Sequence, residues 1–307
     1  MSNFATLTFV GPGEIEARRL QQMLDSLLQH EPNVHTIVII DDQSKHDFKR
    51  ILRPEIFDRS VILENPRKGR GGWWLGGLCV GLTEGLRWLA ENRTMDFVVR
   101  LDTDALVIAP FAERVNSKFQ EDKKIGLLGT WDKFPINGLQ RLPKKEVHDF
   151  HASIVNKARR HFAIWRHSDF PTRIQCSLFE QDRIVRRVIQ AAIRNGYTPG
   201  YFIQGGGYAI SGDLVSKLRS LGFTRNPLAF LHQFLGEDTL GTILCYAAKF
   251  RPRGFNQDGG VFGVQNSGLP APLPELKEAG FAIVHSVKGD SRTAESEIIK
   301  QNEVEVI

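Results

Sequence analysis

The sequence predicts an α/β fold, a sheet flanked by helices and built from β-α-β units. Three observations predict it. Apolar runs of four to six residues alternate with segments of helical period. Polar clusters rich in Asp, Gly and Ser close those runs. The 307 residues are 41% hydrophobic and 24% charged, the make-up of a soluble globular chain with a sizeable core.

Residues 5–10 (ATLTFV) read as a first strand, closed by Gly11-Pro12-Gly13. A helix follows over 14–30, with Ile15, Leu20, Met23, Leu24, Leu27 and Leu28 on one face. Residues 35–40 (HTIVII) form a second strand ending in Asp41-Asp42-Gln43-Ser44. Strand, helix, strand is a right-handed βαβ unit by default, and ligands of open α/β sheets bind at the carboxyl ends of such strands. Residues 48–57 read as a short helix or turn, and 60–64 (SVILE) as a third strand.

The loop 65–72 (NPRKGRGG) is basic and glycine-rich. It is either a plain turn or a phosphate-attracting loop using Arg67, Lys68 and Arg70 with backbone N–H groups. A helix over 73–92 follows, whose Gly76, Gly77, Gly81 and Gly85 weaken an isolated helix but permit close packing. Strand 97–101 then delivers Asp102 and Asp104. On an extended backbone, side chains two apart point the same way. Burying two carboxylates without a counter-charge is costly, so the pair either holds a divalent metal or caps a strand end and turn.

Residues 110–120 read as a helix and 125–130 as a strand. Between 141 and 195 the chain becomes helical and basic, with Lys144-Lys145, Arg159-Arg160 and Arg186-Arg187 among Phe150, Phe162, Trp165 and Phe170. Ile184, Val188, Ile189, Ala192 and Ile193 make an amphipathic face. The segment is a solvated helical insertion packed on the sheet, or a surface for an acidic acceptor or an anionic membrane. It carries no nucleic-acid motif, so no nucleic-acid partner is expected.

Sheet character returns over 201–211 (YFIQGGGYAIS), where three glycines allow close approach to a ligand or to the acidic strand. Ser211 is a suitable N-cap for a helix over 213–221. Glu237 and Asp238 open an apolar helix, either complementing its dipole or presenting a general base. The run 281–289 ends in His285 and Lys288, and residues after about 291 are polar, the pattern of a frayed tail.

The net charge of +5 and pI near 9.1 favour anionic ligands, without the concentration that nucleic acid requires. Cys79, Cys176 and Cys245 are scattered and odd in number, which points to a reducing compartment. With neither leader nor membrane-span pattern in the sequence, a cytoplasmic protein is expected, peripheral to a membrane if the basic insertion binds one.

In order, L-D-T-D, G-G-G-Y-A-I-S, G-E-D-T-L-G and V-H-S-V-K resemble a glycosyltransferase of the GT-A fold. The second half resembles the Fringe-like and β1,3-galactosyltransferase-like group. Asp41-Asp42-Gln43-Ser44 resembles the D-D-G-S of family 2 glycosyltransferases, with Gln43 in the glycine position. The resemblance covers about 5–130 and 200–289. It implies a GT-A-like, Rossmann-type mixed sheet. Residues 1–130 would be the nucleotide-sugar-binding half, 131–200 a helical basic insertion, 201–290 the acceptor and catalytic half, and 291–307 a polar tail.

The resemblance also implies roles. Asp104 would bind Mn²⁺ or Mg²⁺ directly, with Asp102 on the ribose or the metal and His285 completing the metal shell. Lys288 would lie near the diphosphate of a nucleotide-sugar donor, UDP-linked, and the phosphate-attracting reading of the basic loop would put Arg70 on the same donor. Asp42 would read its base or ribose, and Gly205 and Gly206 would let substrate approach. Asp238, or else Glu237, would be the base for an acceptor hydroxyl on a glycan, lipid-linked or protein acceptor. The activity implied is hexosyl or N-acetylhexosaminyl transfer. One rival is a sugar nucleotidyltransferase, which Glu14 and Glu16 beside the first loop disfavour by repelling a triphosphate. The other is a non-catalytic nucleotide- or carbohydrate-binding protein of the same fold.

Overall fold

The computed structural model describes residues 2–71, 76–131, 178–198, 201–231, 236–257 and 259–303. Trp73 and Trp74, Cys176, and the Lys144-Lys145 and Arg159-Arg160 clusters with their aromatics lie outside the described residues.

A seven-stranded sheet forms the centre, in the order β3-β2-β1-β4-β7-β6-β8. Its strands are β1 (Phe4–Val10), β2 (Thr36–Asp41), β3 (Ser60–Glu64), β4 (Phe97–Leu101), β6 (Ile125–Gly129), β7 (Gly207–Ser211) and β8 (Arg251–Gly254). β1 pairs in parallel with both β2 and β4. β7 runs antiparallel to β4 and β6, which makes the sheet mixed. The chain leaves β1 in one direction for β2 and β3 and later returns to its other side for β4. The carboxyl ends of β1 and β4 therefore flank a topological switch point, where such sheets bind ligands.

The alternation in β1 shows why these residues form a central strand. Ala5, Leu7 and Phe9 join one buried cluster, while Phe4 and Val10 join the cluster on the opposite face. Both faces are covered, as parallel strands require. The helix Glu14–His30 covers one face through Leu20, Met23, Leu24 and Leu27. The helix Leu78–Asn92 covers the other. At Gly85 a Cβ would come within 2.5 Å of Leu7, so the glycine lets this helix lie close on β1. The expected helix 48–57 is two short ones, Phe48–Ile51 and Pro54–Phe57, because Pro54 starts a new first turn.

The helix Leu178–Arg194 contributes Val185, Val188 and Ala192 to the core, so its apolar face packs on the protein itself. Ile193 is the exception, at 43% exposed. A smaller sheet, β5 (Ala105–Val107), β10 (Ile283–His285) and β9 (Phe262–Val264), stands beside the large one. Among the described residues, no helix is long and apolar enough to cross a membrane.

The expectation of a frayed tail is corrected. Residues Glu295–Glu303 form a helix, with Ile298 fully buried in the small-sheet cluster. Asn302 Nδ2 donates to the carbonyl of Val107 at 3.1 Å. Two adjacent isoleucines in a polar segment are too few to read as a core face, yet Ile298 and Ile299 are both buried. Replacing Ile298 with Ala should cost about 2–5 kcal/mol, measured by urea unfolding of the full chain.

Candidate functional site

β4 is apolar except for Arg100, and Asp102 follows it directly. Asp102 N–H donates to the Gly206 carbonyl at 3.0 Å, and Ala105 N–H donates back to the Asp102 carbonyl at 3.1 Å. Residues 102–105 are thus a turn between β4 and β5. The two carboxylates converge because the chain turns, and not through strand pleating as the sequence suggested.

β5 pairs antiparallel with β10 so that Ala105 lies opposite His285. This pairing brings the imidazole to the acidic pair from 181 residues away along the chain. His285 Nε2 stands 3.2 Å from Asp104 Oδ1 and 3.5 Å from Asp102 Oδ2. One ligand atom from each of Asp102, Asp104 and His285 lies within 4.8 Å of the others.

The donor set fits a divalent cation on two further observations. His285 Nδ1 bonds the Gln265 carbonyl at 2.8 Å. A carbonyl only accepts, so Nδ1 carries a proton and Nε2 is the nitrogen that faces the carboxylates. Ser286 Oγ donates to Asp104 Oδ2 at 2.6 Å, which leaves Oδ1 turned toward His285. Two carboxylates and one imidazole are a donor set that a divalent cation accepts.

The charges around this trio are unequal. Arg100 is fully buried, with Nη1 2.7 Å from Asp102 Oδ1 and Nη2 2.7 Å from Glu237 Oε1. Its guanidinium lies over the Phe9 ring at 4.7 Å, a cation–π contact in a desolvated place. Lys288 Nζ, half exposed, is 3.7 Å from Asp104 Oδ2. These two cations face Asp102, Asp104, Glu237 and Asp238. Burial opposes the His285 imidazolium, yet hydrogen bonds to Asp102 and Asp104 outweigh it and lift the group to about 9. Burial, with the Asp238 and Asp102 charges, lifts Glu237 to about 8 against the pull of Arg100. Asp104 goes the other way: burial would raise it, but His285, Ser286 and Lys288 hold it well below the carboxylate range.

Gly206 has φ +98°, and a Cβ there would lie 2.3 Å from the His285 ring. The glycine run thus brings backbone against the acidic turn and the histidine. Gly205 N–H donates to Asp238 Oδ2 at 3.3 Å, and Thr239 N–H to Oδ1 at 2.6 Å. Asp238 is half-buried. Burial raises its carboxyl more than these N–H bonds lower it. Glu237, one residue earlier, points instead to Arg100.

Asp42 sits at the carboxyl end of β2, on the same sheet edge as Asp102 but two strand spacings, about 10 Å, away. It holds Arg67 through both carboxylate oxygens. Arg67 Nη1 also donates to the carbonyls of Arg70 and Gly71. Asp42 therefore ties down the glycine-rich loop. Arg70 is exposed, its Nε bonded to the Arg67 carbonyl at 3.0 Å.

Sequence reasoning missed Arg100, Ser286 and Gln265. Arg100 carried a signal, being a lone charge in a strand otherwise built for burial. Ser286 and Gln265 carried none, since their roles depend on the small sheet.

No family model and no curated protein matches the sequence. Among solved structures, the apo form of the bifunctional glycosyltransferase WbbM is similar with TM-score 0.53 and 10% identity, over 98% of this chain and 49% of that one. The chain thus spans about half the length of that relative. An active-site mutant of LgtC is similar with TM-score 0.49 and 12% identity, over 98% of this chain and 95% of that one. The mannosyltransferase PcManGT from Pyrobaculum calidifontis, in complex with GDP-Man and Mn²⁺, has TM-score 0.41 and 15% identity, over 82% and 55%. The fold is the GT-A-like, Rossmann-type mixed sheet that the sequence predicts.

Arg100→Met leaves Glu237 buried beside no cation and should cost about 3–5 kcal/mol. Adding Glu237→Leu should recover most of that loss. A double-mutant cycle in urea measures both.

Proposed function

We propose that the protein is a metal-dependent glycosyltransferase that moves a hexosyl or N-acetylhexosaminyl group from a UDP-linked sugar to an acceptor hydroxyl. The acceptor is a glycan, a lipid-linked saccharide or a protein. The single observation that carries the reading is the convergence of Asp102, Asp104 and His285 within 4.8 Å, at the switch point of a GT-A-like sheet.

Asp104, Asp102 and His285 would hold Mn²⁺ or Mg²⁺. Such an ion would offset the charge that develops on the departing diphosphate. Lys288, with its exposed ammonium 3.7 Å from Asp104, would sit beside that diphosphate. Asp238 would accept the proton of the acceptor hydroxyl, and burial raises its carboxyl in the direction that strengthens a base. Glu237 would hold Arg100 and contact no substrate. We assign Gly205 and Gly206 to the floor of the site. Asp42 would meet the donor base or ribose alongside Arg67, and Arg70 would reach the donor from the loop rim.

The Fringe-like reading of the second half rests on the order of the G-G-G-Y-A-I-S and G-E-D-T-L-G segments. A cytoplasmic setting is supported by the buried thiols of Cys79 and Cys245. Contact with an anionic membrane is supported by exposed Arg183, Arg187 and Arg194 on one helix, a group of positive charges that an anionic surface attracts.

Calorimetric titration with UDP tests the reading. Binding should require Mn²⁺ and should fall at least tenfold in Asp104→Ala; UDP binding indifferent to both would overturn it. Asp238→Asn should keep UDP binding and lower transfer to an acceptor by about 10²–10⁴-fold, measured as product formed per enzyme.

A further inference from the structure

The metal trio is held by short-range bonds, but the turn that carries two of its members is held from elsewhere. Thr103, between the two aspartates, is buried, and its Oγ1 donates to Glu16 Oε2 at 2.8 Å. Glu16 lies in the first turn of the helix Glu14–His30, where the helix dipole favours a carboxylate. Its other oxygen accepts from Arg19 Nη1 at 3.0 Å. Arg19 is 14% exposed, and its Nε and Nη2 each reach Glu295 at 2.7 Å, a bidentate pair. Glu295 opens the C-terminal helix, which Ile298 and Asn302 anchor.

The far end of the same segment is tied to the same helix. Val107 N–H donates to Ser26 Oγ at 3.1 Å. The helix thus serves as a ruler along which residues 103–107 are pinned at both ends.

We infer that Glu16 is a positioning residue for the metal site, holding Thr103 and with it the Asp102–Asp104 turn, and that Arg19 and Glu295 extend this hold to the C-terminal helix. The inference rests on reading Asp102, Asp104 and His285 as metal ligands. Both aspartates flank the pinned threonine, so its loss lets the carboxylates separate. Groups that orient ligands from outside the metal shell change affinity by about 10–100-fold. Because Thr103 acts one residue from each ligand, the lower end applies.

The test is Mn²⁺ titration of the full 307-residue chain, reading free Mn²⁺ by electron paramagnetic resonance, with thermal unfolding alongside. Thr103→Val keeps the shape and removes the hydrogen bond, and should weaken Mn²⁺ binding about tenfold. Thr103→Ser keeps the hydroxyl and should bind as wild type does. Glu295→Ala should weaken binding by about two- to fivefold. If folded Thr103→Val binds Mn²⁺ as tightly as wild type, the inference is overturned while the metal site stands. Wild-type protein whose Mn²⁺ binding is absent, or unaffected by Asp104→Asn, would overturn both. Should Thr103→Val fail to fold, Glu16→Ala carries the same test, and unchanged affinity there has the same meaning.

Discussion

An arginine buried in the middle of a sheet is the constraint on which the site depends. Arg100 has no exposure, and a lone guanidinium in that position would be untenable. It is stabilised by Asp102 on one side, Glu237 on the other and the face of Phe9. Those partners are the strand end carrying the acidic turn and the first residue of the helix carrying Asp238. One cation therefore sets the relation between the two halves of the site. Gly206 fits between them because a Cβ there would lie 2.3 Å from His285, and Gly205 packs closely on Asp238.

The carboxylates are more numerous than their cations. Arg100 and Lys288 supply part of the counter-charge that a buried acidic pair demands, and His285 and Glu237 are drawn toward their protonated forms. A pocket with that balance is suited to a dication. Such a pocket must also be kept from collapsing onto its own charges. The hydrogen bonds from Ser286 to Asp104 and from His285 to Gln265 do this by committing one oxygen and one nitrogen to the protein.

Asp42 shows how a short motif can be read correctly as polar and incompletely as a contact. It lies on the right edge of the sheet, yet both of its oxygens hold Arg67. Asp42 and Arg67 form a buried ion pair at this edge. The basic loop is shaped by that pair, because Arg67 also gathers the carbonyls of Arg70 and Gly71.

The sequence by itself determined strands β1 to β4 and β6, the long first helix and the location of the acidic pair. Strands 60–64 and 97–101 and the helix 14–30 fall at the expected bounds, because periodicity and glycine punctuation are local properties. Tertiary structure alone decided the rest. His285 reaches Asp104 only through the pairing of β5 with β10, and pairing partners far apart in the chain leave no local trace. The same holds for the C-terminal helix, whose docking depends on Ile298, one asparagine and one glutamate meeting surfaces made by other segments. Arg100 belongs to both categories. Its charge in an apolar strand was visible in the sequence, but only the packed sheet shows which carboxylates it holds.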